Sequence, residues 1–223
     1  DTIGELLVAA GYAANTKVGR AEGADIGTDA LINIENVVAG ARHDKVIGNA
    51  EANTIYGGAG NDTIRGNKGG DTIYGETGKD KIKGGKGKDT LDGGNAKDTL
   101  IGGKGKDTLI GGAGGDKLKG KSGADTFVFN DIGKADKVKD FKPGKDMLAF
   151  DNDVFTGLGD EGALKSKYFT IGTKAETKKQ MVIYDDKSGK LWYDADGKGG
   201  DDAVKVATLK HAPDLSADDI FVI

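Results

Sequence analysis

The sequence predicts an all-β fold, a flattened parallel β-solenoid, on two observations. The first is a period. Asp44, Asn53, Asp62, Asp71, Asp80, Asp89, Asp98, Asp107, Asp116 and Asp125 follow one another at intervals of nine without a slip. Two residues after each stands an apolar side chain, from Val46 and Ile55 through Leu91 and Leu100 to Phe127. Two residues further comes a glycine, from Gly48 up to Gly120. The motif reads G-G-x-G-x-D-x-U-x, with U a large apolar residue, and a fixed period of this kind marks a repeat architecture. The second observation is composition. Of 223 residues 39 are Gly, 30% are charged and only 36% are hydrophobic. That is poor material for one large globular core, yet too regular for plain disorder.

Each element follows from the nine-residue unit. Three residues such as Thr90-Leu91-Asp92 make a short strand whose middle side chain points inward. The other six make a turn, where Gly supplies positive φ without steric cost. Two units complete one coil, so turns on the same side are eighteen residues apart. One edge then stacks Asp44, Asp62, Asp80, Asp98 and Asp116, and the other stacks Asn53, Asp71, Asp89, Asp107 and Asp125. Outward positions form two faces, one with Lys45, Arg65, Lys81 and Lys83, the other with a row of Thr that includes Thr54, Thr72 and Thr90.

The stacked acids need an explanation. Neighbouring coils lie ~4.8 Å apart, where like charges repel by about 1 kcal/mol even in bulk-water dielectric and by more in a poorly solvated turn. A hard divalent cation between the carboxylates relieves this, with turn carbonyls as further oxygen ligands, and Ca2+ tolerates that flexible geometry better than Mg2+. The plainer reading is that Asp ends each strand and forms an Asx-turn. Asp outnumbers Glu by 29 to 7, which suits short carboxylates in turns. With no Cys, disulfides and thiolate metal sites are excluded, so an extracellular chain would need another staple.

These nonapeptides, including "GGAGNDTI" and "GGAGGDKL", resemble the repeats-in-toxin (RTX, hemolysin-type) calcium-binding repeats of secreted bacterial proteins. "GADTFVFN", "DKVKDF" and "GKDMLAF" resemble the usual end of such an array, and "LWYDADGKGGDDAVKVATL" and "LSADDIFVI" resemble the C-terminal tail. The resemblance covers residues 31–223. It implies a right-handed parallel β-roll with several Ca2+ ions between same-side turns. It also implies export by a type I (ABC transporter) system reading an uncleaved C-terminal signal, hence a secreted, extracellular or cell-surface location. The start of the chain does not read as a secretory signal peptide, and Asp1 rather than Met reads as a fragment or processed product.

The metal candidates are Asp44, Asp62, Asp71, Asp80, Asp89, Asp98, Asp107, Asp116 and Asp125, with Asp44 and Asp125 at the array ends. Asn53 carries no charge; Asn49, Asn67, Glu76 and Lys121 replace the second Gly of their units, and Glu51 and Ala96 the third. Residues 44–125 hold 14 Lys plus Arg against 12 Asp plus Glu, within a chain of net charge −4, so a calcium-filled array is strongly cationic. Two readings stand: protection of sheet edges and solubility, or attraction to an anionic polysaccharide.

The remaining sequence is of another kind. Eleven of the 14 aromatic residues lie after residue 126, enough for an ordinary small core. The expected division is 1–43 as an N-terminal cap or linker, 44–130 as the calcium-binding roll, and 131–223 as a C-terminal β-rich capping and secretion-signal domain. Residues 218–223 are expected to act in export with little part in folding. No H-E-x-x-H, G-x-S-x-G or phosphate-loop motif occurs, and His43 and His211 match no zinc pattern. "DADGKG" from Asp194 is similar to the start of an EF-hand loop, but Lys198 and Lys205 stand where ligands belong. No nucleic-acid partner and no membrane span are expected. Two functions remain: a noncatalytic secreted calcium-binding module, such as a surface or matrix protein, or the export and folding tail of a larger secreted protease, lipase, glycanase or epimerase.

Overall fold

Alternation sends the middle residue of each short strand inward, and burial follows it: Thr90-Leu91-Asp92 is half-buried, buried, half-buried. The computed structural model describes residues 36–197 and 203–223, and the backbone of 20–22 and 28–30. The apolar "GELLVAA" of the expected N-terminal cap lies outside the described residues.

The chain runs through β1 (Arg20–Glu22), β2 (Thr28–Ala30), β3 (Asn36–Val38), β4 (Lys45–Ile47), β5 (Thr54–Tyr56), β6 (Thr63–Lys68) and β7 (Thr72–Tyr74). Next come β8 (Lys81–Lys86), β9 (Thr90–Asp92), β10 (Thr99–Lys104), β11 (Thr108–Ile110), β12 (Lys117–Ser122) and β13 (Thr126–Phe129). Beyond them lie β14 (Asp136–Val138), β15 (Met147–Phe150), β16 (Gly162–Ala163), β17 (Phe169–Ile171), β18 (Val182–Asp185), β19 (Lys190–Tyr193), β20 (Val204–Leu209) and β21 (Ile220–Val222).

Through the repeats, odd and even strands separate into two parallel sheets. One is ordered β1-β3-β5-β7-β9-β11-β13-β15-β21-β16, the other β17-β18-β19-β20-β14-β12-β10-β8-β6-β4-β2. Within the array each strand pairs in register with those eighteen residues away, so Leu91 lies beside Ile73 and Leu109. The fold is therefore an all-β parallel solenoid of stacked coils, a β-roll. Its core is two rows of single side chains, Ile55, Ile73, Leu91 and Leu109 against Ile64, Ile82, Leu100 and Leu118, each at most 1% exposed. Burying each contributes roughly 1.5–3 kcal/mol.

From β5 to β12 the expected three-residue strands occur in one sheet only. In the other, β6, β8, β10 and β12 run to six residues, because the turn continues to pair from coil to coil: Gly85 with Gly103, Lys86 with Lys104. At the opposite edge the turns form isolated bridges from Ala59 to Thr77, Asn95 and Ala113.

At several glycine positions of the motif a non-glycine residue keeps the glycine backbone. Glu76 has φ 69°, Ala96 φ 77° and Lys121 φ 78°, a left-handed conformation that costs an L-residue roughly 1–2 kcal/mol. Ala96→Gly is therefore expected to raise the midpoint of thermal unfolding in saturating Ca2+ by about 2–4 °C. A lowered midpoint would mean that Ala96 gains more from its methyl group than it loses in strain.

Both sheets continue beyond the repeats. β14 pairs with β12 and β20, and β15 with β13 and β21. A chain of aromatic contacts fills this end: Phe129 to Phe150 at 5.3 Å, Phe150 to Phe155 at 5.0 Å, Phe155 to Tyr193 at 5.2 Å between ring centroids. The final residues, expected to contribute little to folding, are a structural strand instead. β21 lies between β15 and β16, with Ile220 and Val222 buried.

Candidate metal centre

The turns place the predicted acids in two files, one along each edge. Asp44, Asp62, Asp80, Asp98 and Asp116 stack on one edge; Asn53, Asp71, Asp89, Asp107 and Asp125 stack on the other. All ten are at most 3% exposed. Each side chain reaches back one coil. Asp62 Oδ1 accepts the Asp44 backbone N–H at 2.7 Å, and Asp80, Asp98 and Asp116 repeat the bond at 2.7 Å. On the other edge the bonds to Asp71, Asp89, Asp107 and Asp125 measure 2.9, 2.9, 3.0 and 3.1 Å.

One oxygen of each carboxylate is thus structural, through a bond to the neighbouring coil and not through the Asx-turn of the plainer reading. The other oxygen is not used this way. Oδ2 of Asp62, Asp71, Asp80, Asp89, Asp98, Asp107, Asp116 and Asp125 is buried with no hydrogen-bond partner. A buried polar atom left unsatisfied costs about 1–3 kcal/mol, more when charged. At the N-terminal end the pattern changes: Asp44 Oδ2 accepts the Gly40 N–H at 3.1 Å, and Asn53 Oδ1 that of Asn49 at 3.0 Å.

The files extend past the nine-residue period. Asp136 Oδ1 accepts the Asp116 N–H at 2.8 Å, and Asp146 Oδ1 the Asp125 N–H at 3.1 Å. These acids stand 20 and 21 residues on, because the turns before them are longer, and counting by nine misses them. Asp136-Lys137-Val138 and Asp146-Met147-Leu148 keep the D-x-U signature, which could have found them.

Burial dominates the electrostatics. It pushes Asp71 and Asp80 up to about 6, Asp107 to about 7 and Asp98 to about 8, with neighbouring carboxylates adding to the rise. Asp116 and Asp136, neighbours on successive coils of one edge, are both held above the ordinary carboxylate range by burial. Such groups resist ionisation unless a positive charge arrives.

The glycines leave room for one. A Cβ on Gly75 would lie 2.5 Å from Asp80 Oδ2 and 2.6 Å from the Gly93 carbonyl oxygen. On Gly93 it would lie 2.6 Å from both Asp98 Oδ2 and the Gly111 carbonyl oxygen, and on Gly57 2.8 Å from Gly75 O and 2.9 Å from Asp62 Oδ2. An unpartnered carboxylate oxygen and a carbonyl oxygen from the next coil thus converge where only glycine fits. Among the described residues no three His, Cys, Asp or Glu side chains gather in a metal-binding group. The donor set is one of few carboxylates and many carbonyls, all oxygen, which fits a hard cation of flexible coordination such as Ca2+ better than Zn2+ or Mg2+.

The EF-like stretch is built differently. Asp194 is buried and its Oδ1 accepts the N–H of Gly197 at 2.9 Å and of Asp196 at 3.2 Å, an Asx-type turn. The following residues, 198–202, lie outside the described residues. His43 Nδ1 accepts the Asn61 N–H at 2.6 Å and so serves a turn.

Fold and turns together define a class: a parallel β-solenoid whose edges carry files of half-satisfied carboxylates. Residues 38–73, 65–100 and 92–127 match the family model described as RTX calcium-binding nonapeptide repeat (4 copies). The three matches together span residues 38–127, and the repeat they describe is a calcium-binding one. Among solved structures the chain is similar to the AlgE6R3 subunit of the Azotobacter vinelandii mannuronan C5-epimerase, at 24% identity and TM-score 0.32, covering 90% of this chain and 85% of that one. It is also similar to the extracellular lipase LipA from Serratia marcescens, at 18% identity and TM-score 0.29, covering 94% of this chain and 43% of the lipase. No curated protein matches it. Among the described residues no helix is long and apolar enough to cross a membrane.

Proposed function

We propose that this chain is a secreted, noncatalytic calcium-binding module, exported unfolded by a type I system and folded outside the cell when Ca2+ fills its turns. The observation that carries the reading is the file of buried Oδ2 atoms without partners. In it, Asp62, Asp71, Asp80, Asp89, Asp98, Asp107, Asp116 and Asp125 hold the ions through Oδ2, joined by carbonyl oxygens such as Gly75 O and Gly93 O, and Asp44 closes the file at its end. Bound Ca2+ supplies the positive charge that lets these carboxylates ionise in a buried turn. Residues 44–130 form the calcium-responsive unit, 1–43 one cap, and 131–223 the other cap, with the export signal.

Asp98→Asn tests the assignment, because the amide keeps the Oδ1 acceptor and removes the free charged oxygen. Calorimetric titration should show the sites flanking Asp98 weakened by about tenfold or more, as affinity follows ligand charge. Asp92→Asn, on the outer face of β9, should leave the titration unchanged. Equal losses from the two variants would overturn the ligand assignment.

A further inference from the structure

The outer face of the sheet with six-residue strands carries an open groove of 510 Å3 that crosses β6, β8, β10 and β12. Arg65, Lys83 and Ile101 line it from one register column, Lys86 and Lys104 from another, and Lys121 from the last of these strands. Gly85 and Gly103 line it from the column between, where they add no side chain. The cations come from the pairing pattern: in-register strands put Arg65 beside Lys83 and Lys86 beside Lys104, on successive coils. No acidic residue lines the groove, and its five cations are exposed. The nearest carboxylate at the far end, Asp140, is engaged by the N–H groups of Gly120 and Lys121 at 3.0 Å each. Lys119 and, less strongly, Lys83 push Lys121 below its ordinary value against the opposing pull of Asp140.

We propose that this groove binds a linear acidic polysaccharide laid along the stacking axis, one carboxylate per sugar. This rests on the calcium-dependent folding proposed above, since the groove exists only where coils are stacked. Cations recur at the ~4.8 Å coil spacing, about the length of one sugar ring in an extended chain. Ile101 interrupts the cations with an apolar surface for the C–H face of a sugar. A nucleic acid fits less well: no aromatic side chain lines the groove for base stacking, and Arg65 is its one guanidinium. Beneath the same edge lie Asp71, Asp89 and Asp107, so filling those turns with Ca2+ removes the negative charge that opposes a polyanion.

The test uses the full chain with free Ca2+ held constant by a calcium buffer, and an oligogalacturonate as probe. Circular dichroism is recorded on each sample, so that loss of folding is seen separately from loss of binding. Binding should need Ca2+ and weaken as salt rises. Lys83→Ala, Lys86→Ala and Lys104→Ala together should weaken it by about tenfold or more while leaving the calcium-induced spectrum unchanged. The same charge removed from the cap, at Lys174, Lys179 and Lys187, should have no such effect. Equal binding by both triple variants, or preference for single-stranded DNA or a sulfated glycan over the uronate, would overturn the groove assignment. A folded spectrum in chelator with binding intact would leave the groove standing and overturn its calcium dependence.

Discussion

In chelator at neutral pH the array is expected to lose its β-sheet circular dichroism, and to regain it either on adding Ca2+ or on acidifying without any metal. The first half follows from eight buried carboxylates whose Oδ2 atoms have no partner. Ionised, they oppose one another along each file, and 39 glycines add a large backbone entropy to the unfolded chain. The core offers only one inward side chain per strand to set against this. Metal binding to such a chain appears as folding free energy. The second half follows from the direction of the pKa shifts. Folding raises Asp71 and Asp80 from 3.8 to about 6, Asp107 to about 7 and Asp98 to about 8. A group raised by folding stabilises the folded state when protonated. That contribution is complete below the unfolded value and is lost as pH climbs through the folded value. The metal-free roll should thus be most stable near pH 4 and melt out as pH rises through about 6 to about 8. Calcium and protons become alternative ways to neutralise the same oxygens, so the Ca2+ midpoint should rise as pH falls through that window. A chelated sample that keeps a full β spectrum at pH 8, or that gains none on acidification, would show that the carboxylate files do not control folding.

The repeat was legible because nine residues set both phases at once. Leu91 or Ile82 must point inward if Asp89 or Asp80 ends a turn, and the register then places every Asp of the nine-residue period in one of two files. What the period could not carry was any feature that breaks it. Asp136 and Asp146 continue the files through turns that are longer by two and three residues, and a longer turn changes the count without changing the coil. The six-residue strands escaped for a different reason. Gly84 and Gly85 have no side chain to mark a strand by alternation, and their pairing comes from the coil above and below. Lys121 and Ala96 show the coil overriding local preference, since each holds a backbone that its side chain disfavours. In the cap the missing information is long-range. β20 joins β14 from far along the chain, and no local pattern around Val204–Leu209 names that partner.

Removing Asp218 to Ile223 should disrupt the cap even when Ca2+ is saturating. Read along the chain these residues look like a loose tail; in space they are the strand on which the end of one sheet closes. β21 pairs with β15 on one side and β16 on the other, and the Ile223 N–H donates to Phe150 O at 2.9 Å. Asp219 fastens its start: Oδ1 accepts the Gly144 N–H at 2.6 Å, and Oδ2 accepts the Ser216 N–H at 2.9 Å and its hydroxyl at 3.0 Å. Ile220 is 0% and Val222 1% exposed, which together represent roughly 3–6 kcal/mol of burial, a large share of the ~5–15 kcal/mol that a domain commonly has in hand. The truncated protein is expected to lose the near-ultraviolet signal of Trp192, Tyr184 and Tyr193, and to need more Ca2+ to order the coils beside β13 and β15. Ile220→Asp should reproduce both effects with the chain end intact, which separates a structural strand from a mere change of length. On the proposed export route the same residues are read by the transporter, and docking of β21 would hide them, so recognition must precede folding. If the truncated protein and Ile220→Asp both keep the near-ultraviolet signal and the calcium midpoint of the parent, β21 is dispensable for the cap and the end of the chain acts in export alone.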